Sequence, residues 1–297
     1  MNNLSKILVP VDFSENSMVA VRHAADLARH FRSEVTLLHV NELAVIHSMS
    51  GPLGYGITSG EAIRAEHVAE RQKELDAFGI AELKGILVKR VMRCGDPARL
   101  IVEHARTEKA ELILVPTHGS GMFRRLLLGS VTAKVLHDAE CPVWTGTHLA
   151  EPAALEPTEV RHVMCAVNFG PQSQSAIRWA SNFAAEFGAW LTAVYATLAA
   201  PPNLPERYSH QWHDEARWGA EERLRRLLVD ANVRADTLVV EGDLPTALGA
   251  AARDTKAGLL VIGRSFVGRS HAPGRSGRLG NDAYGIICHA PCPVVSV

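Results

Sequence analysis

The sequence predicts an α/β protein of two tandem doubly wound domains, each a five-stranded, mostly parallel sheet with helices on both faces. Three observations carry this expectation. The chain has 297 residues, about twice the roughly 150 of a common domain. Three sequence blocks recur in the same order. Within each repeat, short apolar runs alternate with helical patterns, the arrangement that right-handed crossovers between parallel strands require.

The repeat fixes the organisation. KILVPVDFSENSMVAVRHAADLA (Lys6 to Ala28) aligns without gaps with HVMCAVNFGPQSQSAIRWASNFA (His162 to Ala184), placing Asp12 on Asn168 and Ala20 on Ala176. RCGDPARLIVEHARTEKAELILVP (Arg93 to Pro116) resembles VEGDLPTALGAAARDTKAGLLVIG (Val240 to Gly263), and LGSVTAKVLHDAECPVW (Leu128 to Trp144) resembles LGNDAYGIICHAPCPVV (Leu279 to Val295). Domains over residues 1–147 and 161–297 are expected. The linker, 148–160, carries two prolines and no strand pattern.

In the first copy, Ile7 to Val11 is almost wholly apolar, as in a strand buried on both faces. Ser14 is placed to cap the following helix, with Glu15 in its first turn. Ala20, Ala24, Leu27, Ala28 and Phe31 form its apolar stripe. Val35 to Val40 reads as the second strand, Glu61 to Phe78 as a polar-faced helix, and Ile86 to Met92 as the third strand. Pro97 to Thr107 reads as a helix with proline at its start. Leu112 to Val115 and Pro142 to Trp144 supply the last strands, with a helix over Val131 to Asp138 between them. Ligands of such sheets bind beyond the carboxyl ends of the strands, where the winding reverses, so Asp12 and the loop after Val115 are the candidate rim.

Composition narrows the function classes. Lys plus Arg total 31 against 32 Asp plus Glu, so no global field draws the chain to nucleic acid or an acidic membrane. Hydrophobic residues make up 47%, enough for ordinary cores, yet no apolar run reaches the roughly 18 residues of a membrane span. Met1 to Lys6 lacks the pattern of a signal peptide, and five cysteines are an odd number in a chain too large to need staples. Cytoplasmic residence with reduced thiols is the expectation.

The loop Pro116-Thr117-His118-Gly119-Ser120-Gly121, continuing to Gly129-Ser130-Val131, follows a buried strand and precedes a helix. Glycines permit close backbone approach, and a Gly-Ser at a helix start offers N–H groups, a hydroxyl and the positive dipole end to a phosphate. The combination VPVDFS, GDP, and THG followed by nine residues, GSV and then CPV resembles the universal stress protein family, twice over nearly the whole chain. The family's nucleotide motif is Gly-x2-Gly-x9-Gly-Ser/Thr. Gly119 matches its second glycine, Gly129 its third and Ser130 the terminal hydroxyl residue, while Pro116 replaces the first glycine.

The resemblance implies an adenine nucleotide α-hydrolase-like fold and an ATP site, with Mg2+ as a companion ion. Asp12 would contact the adenosine end. Pro10, Val40 and Val115 would line the adenine and ribose pocket, and Gly119, Gly129, Ser130 and Val131 would cradle phosphates with His118 beside them. Pro116 removes one backbone donor and stiffens the loop.

The second copy departs further. Asn168 replaces the acid, and Phe266 and Ser276 fall where glycines should, so only the first copy is expected to hold ATP. The implied function is a stress-response regulatory module that is not an enzyme and acts on a protein client. The alternatives are a slow ATP hydrolase and a ligand-free scaffold. Pairing of the copies within one chain through Pro142 to Trp144 and Pro293 to Val297 is expected, as is a homodimer.

Three other patterns have plainer readings. Gly54-Tyr55-Gly56 lacks the feeding strand of a dinucleotide site and reads as a loop. Cys288, Cys292, His271 and His289 invite zinc, but Cys292 repeats Cys141 at a Cys-Pro-Val strand entry. Arg264, Arg269, Arg275 and Arg278 lie in a stretch without acids, read as a solvated basic loop.

Overall fold

The structure is a computed structural model that describes residues 4–42, 57–117, 128–146, 160–197, 206–264 and 281–297. The first copy runs β1 (Lys6–Pro10), α1 (Glu15–Phe31), β2 (Glu34–Asn41), α2 (Ile57–Ala77), β3 (Val88–Cys94), α3 (Pro97–Glu108), β4 (Leu112–Val115), α4 (Ser130–Asp138) and β5 (Val143–Thr145). The second runs β6 (His162–Ala166), α5 (Ser173–Phe187), β7 (Trp190–Thr197), α6 (Glu206–Ala231), β8 (Asp236–Glu241), α7 (Leu244–Asp254), β9 (Leu259–Ile262), α8 (Asn281–His289) and β10 (Val294–Ser296).

Within each copy all strand pairs are parallel, in the orders β3-β2-β1-β4-β5 and β8-β7-β6-β9-β10. The winding reverses between β1 and β4 and between β6 and β9. The copies join edge to edge: β5 and β10 pair antiparallel, Trp144 opposite Val295, giving one 10-stranded sheet. The expected intrachain pairing through the terminal strands is thus present. Thr145 Oγ1 adds a side-chain bond across the seam to the Val294 carbonyl at 3.1 Å.

Alternation along the strands explains why both faces are covered. Ile7 and Val9 enter one core with Val21, Ala24 and Leu27 of α1 and Leu75 of α2. Leu8 enters the other with Ile101 of α3 and Val135 of α4. Each core continues into the second copy, through Ile177 and Phe183 on one face and Leu248 and Ile286 on the other. At the seam His30 of α1 stacks on Phe187 of α5 with ring centroids 4.3 Å apart, and Trp144 meets Phe183 at 5.9 Å.

Ser14 caps α1 by accepting from the Ser17 N–H, as the sequence predicts. Several boundaries shift by a few residues, each for a local reason. α2 starts at Ile57 rather than Glu61, taking Ser59 and Gly60 into its first turn. β3 begins at Val88 rather than Ile86. Gly85 adopts φ +82°, and the Ile86 N–H closes a turn onto the Leu83 carbonyl. β5 begins after Pro142, which has no N–H for the ladder but accepts from Ile113 at 3.0 Å. Likewise β10 spans Val294–Ser296, one residue inside each end of the expected strand. The expected linker lies outside the described residues except for Val160, which is buried.

Candidate functional site

A cavity of about 680 Å3 opens at the carboxyl ends of the first copy's strands, at the reversal between β1 and β4. Of the residues singled out from sequence, Pro10, Asp12, Val40 and Val115 line its strand side, and Gly129, Ser130 and Val131 line it from the start of α4. His118 and Gly119 lie outside the described residues, as do Gly54 to Gly56.

Asp12 is held firmly. Its Oδ1 accepts from the Ser14 N–H at 3.1 Å and from the hydroxyls of Ser14 and Ser17, each at 2.5 Å. Its own N–H donates to Ser17 Oγ at 3.1 Å. The next residue, Phe13, has φ 65°, a left-handed conformation that a bulky side chain rarely adopts. That bend lays its ring on His39, centroids 4.3 Å apart, while His39 Nδ1 lies 2.8 Å from the Val11 carbonyl oxygen.

The phosphate-type end is built by the turn into α4. Gly129 is the cap residue, and no side chain caps this helix. The Gly129 N–H is already engaged with the Thr117 carbonyl at 2.9 Å, so its part in the turn is close approach rather than donation. Thr132 Oγ1 donates to the Pro116 carbonyl at 2.9 Å, so the proline that lacks a donor still anchors the loop through its acceptor.

Sequence reasoning missed a third group: Asn41, Glu42, His67 and Arg71 also line the cavity, on the β2 and α2 side. Two of its members have buried donors without a hydrogen-bond partner, Asn41 Nδ2 and Arg71 Nε. Such atoms are uncommon in folded proteins and call for an explanation. Arg71 is steadied by an ion pair from Nη1 to Glu74 at 2.6 Å and lies 5.8 Å from the Phe13 ring centroid. The available signal was an Asn closing the mainly apolar run that begins at Val35.

The second copy repeats the framework with different contents. Asn168 Oδ1 accepts from the Gly170 N–H at 3.0 Å and the Ser173 hydroxyl at 3.3 Å, and Phe169 again has a positive φ, 57°. Here Arg223 closes down to 4.0 Å from the Phe169 centroid. Thr197, at the place of Asn41, gives its hydroxyl to the Val240 carbonyl at 3.2 Å.

Arg264, read from sequence as part of a solvated loop, instead crosses the seam, donating from Nη2 to the Cys141 carbonyl at 2.8 Å. Residues 265–280, with Arg269, Arg275 and Arg278, lie outside the described residues. All five cysteines are free thiols. Burial pushes Cys141 up to about 11 and Cys292 up to about 12, which keeps both protonated and poorly reactive. No cluster of three metal-ligating side chains occurs among the described residues, and no helix among them is long and apolar enough to cross a membrane.

These features define a duplicated, doubly wound α/β protein with a lined cavity at the switch point of its first copy. The chain belongs to the universal stress protein family, whose sequence model matches residues 3–145 and 159–297. A universal stress protein of Methanocaldococcus jannaschii is 33% identical over 142 residues, 48% of this chain and 81% of its own length. One from Mycolicibacterium smegmatis is 30% identical over 192 residues, 65% of this chain and 64% of its own. In fold, the chain matches the crystal structure of a universal stress protein from Archaeoglobus fulgidus with a TM-score of 0.71 at 19% identity, covering 99% of this chain and 98% of that one.

Proposed function

We propose that the chain is a regulatory, stress-response module that binds one adenine nucleotide, ATP with Mg2+ as companion, in its first copy. The observation that carries this reading is the cavity at the β1/β4 reversal, of a volume suited to a small ligand, lined by seven of the nine motif-derived residues. The uncapped start of α4 suits the phosphates, and the apolar strand ends Val40 and Val115 suit a base. The reading is one of binding rather than turnover. Cytoplasmic residence, a homodimer and a protein client belong to the same reading.

Mass spectrometry of nucleotide released from freshly purified protein tests it. Adenine nucleotide is expected from the wild type and none from Gly129→Asp, which sets a carboxylate against the phosphates. Empty wild-type protein that also fails to take up added ATP overturns the reading. Phosphate release that depends on Ser130 would replace it with a hydrolase.

A further inference from the structure

The turn that enters α4 is held from two sides. From within the first copy, the Gly129 N–H donates to the Thr117 carbonyl at 2.9 Å. One residue earlier, the Leu128 N–H donates at 2.8 Å to the phenol oxygen of Tyr284, a residue 156 positions away in the second copy. Leu128 is buried, so loss of this acceptor would leave its amide only the weakly accepting Cys288 sulfur.

Tyr284 is seated by its own copy. Its neighbour Gly285 packs so closely on α7 that a Cβ there would lie 2.5 Å from Pro245 Cγ, and a Cβ on Gly249 of α7 would lie 2.8 Å from the His289 carbonyl oxygen. α8 is therefore fixed against α7, and the phenol projects from a rigid support. The buried Cys288 thiol, one turn on, lies against both the same phenol and the Leu128 N–H. The alignment of the copies sets Tyr284 on Ala133, whose methyl group can accept no hydrogen bond. The first copy therefore carries no hydroxyl at the equivalent position.

We propose that Tyr284 is a positioning residue for the first copy's cavity: the second copy, rather than holding its own nucleotide, completes its neighbour's site by clamping the Leu128–Gly129 turn. The inference rests on the nucleotide reading of that cavity. The clamp raises affinity by pre-ordering the turn before ligand arrives, which removes part of the ordering cost of binding.

The test compares full-length wild type with Tyr284→Phe, which keeps the ring and its packing and removes only the acceptor. Two quantities are measured: amide hydrogen exchange at Leu128 and Gly129 without ligand, and the Kd of a fluorescent ATP analogue. Exchange at these amides is expected to rise and affinity to fall by about fivefold, the worth of one net hydrogen bond, with the melting temperature lowered by at most a few degrees. A role in packing alone would leave Leu128 exchange in step with its surroundings and analogue affinity unchanged. Unchanged exchange, or unchanged analogue affinity in a wild type that binds, overturns the clamp. If the wild type binds no analogue, the nucleotide reading fails, and with it the completing role assigned here, even where the exchange result upholds the Leu128–Tyr284 bond.

Discussion

Asp12 and Asn168 occupy equivalent ends of β1 and β6, and each accepts the hydroxyl of the serine five residues on, Ser17 at 2.5 Å and Ser173 at 3.3 Å. The second copy therefore forms the corresponding turn on an amide, without a charge at that position. Asp12→Asn is expected to alter stability by less than about 1 kcal/mol while weakening nucleotide binding by about tenfold or more, as loss of a charge-assisted bond would. Thermal melting and analogue titration of one preparation check both halves. Equal affinity would leave Asp12 as a turn residue only.

The same comparison bears on stoichiometry. Arg223 lies on Phe169, and the Thr197 hydroxyl is engaged by Val240, so restoring an acid alone does not reopen the second copy. Native mass spectrometry of the intact chain is expected to show one nucleotide per chain, both in wild type and in Asn168→Asp. Two per chain in either protein contradicts this.

Asn41 offers a sharper contrast between stability and binding. Its Nδ2 is buried without a partner, an arrangement that costs about 1–3 kcal/mol in the empty protein. Asn41→Ala is expected to melt at the same or a higher temperature and to bind nucleotide more weakly, a stability–function trade-off. Calorimetric melting with and without ATP measures both, and a variant that melts lower but binds normally refutes the assignment.

Two buried histidines set an acid limit. Burial lowers the pKa of His23 below 6.5. It does the same for His104, where Glu108 opposes the shift and Arg93 and Lys89 add to it. In both, the unfolded chain binds the proton more readily. Their contribution is complete above the ordinary imidazole value and is lost as pH falls below it, by at most about 1.4 kcal/mol per pH unit for each group. Urea denaturation from pH 7 down to about pH 5 should show this fall, and His23→Leu should flatten it; an unchanged slope in that variant would exclude His23 as a source.

At the seam, Val295 stands opposite Trp144 on one side and beside Val261 on the other. Proline in such a central strand removes a ladder donor, which is why it is confined to edge strands and bulges, and is expected to be strongly destabilising. Val295→Pro should lower the denaturant midpoint of the whole chain. A second transition appearing while the first stays in place would show that the copies unfold independently.

Much of this fold was legible because both-face burial writes itself as continuous apolar runs such as Ile7 to Val11, and because a duplicated chain checks each reading twice. Strand starts slipped where a turn consumed the first N–H, as at Ile86, or where proline had none, as at Pro142. The motif located the strand and helix ends of the cavity but not Asn41 or Arg71, which converge on it from β2 and α2 only after folding. Arg264 on Cys141 and Tyr284 on Leu128 span 123 and 156 residues, beyond the reach of any local pattern.

The antiparallel pairing of β5 with β10 has a consequence for heredity as well as for shape. In a symmetric pair of identical subunits, every substitution is made twice, so neither half can lose a ligand contact while the other keeps it. Here the two halves are encoded separately and held together by one continuous ladder. A mutation at Asn168 or Thr197 leaves Asp12 and Asn41 untouched. The seam thus permits a division of labour that a homodimer built from one such unit could not reach.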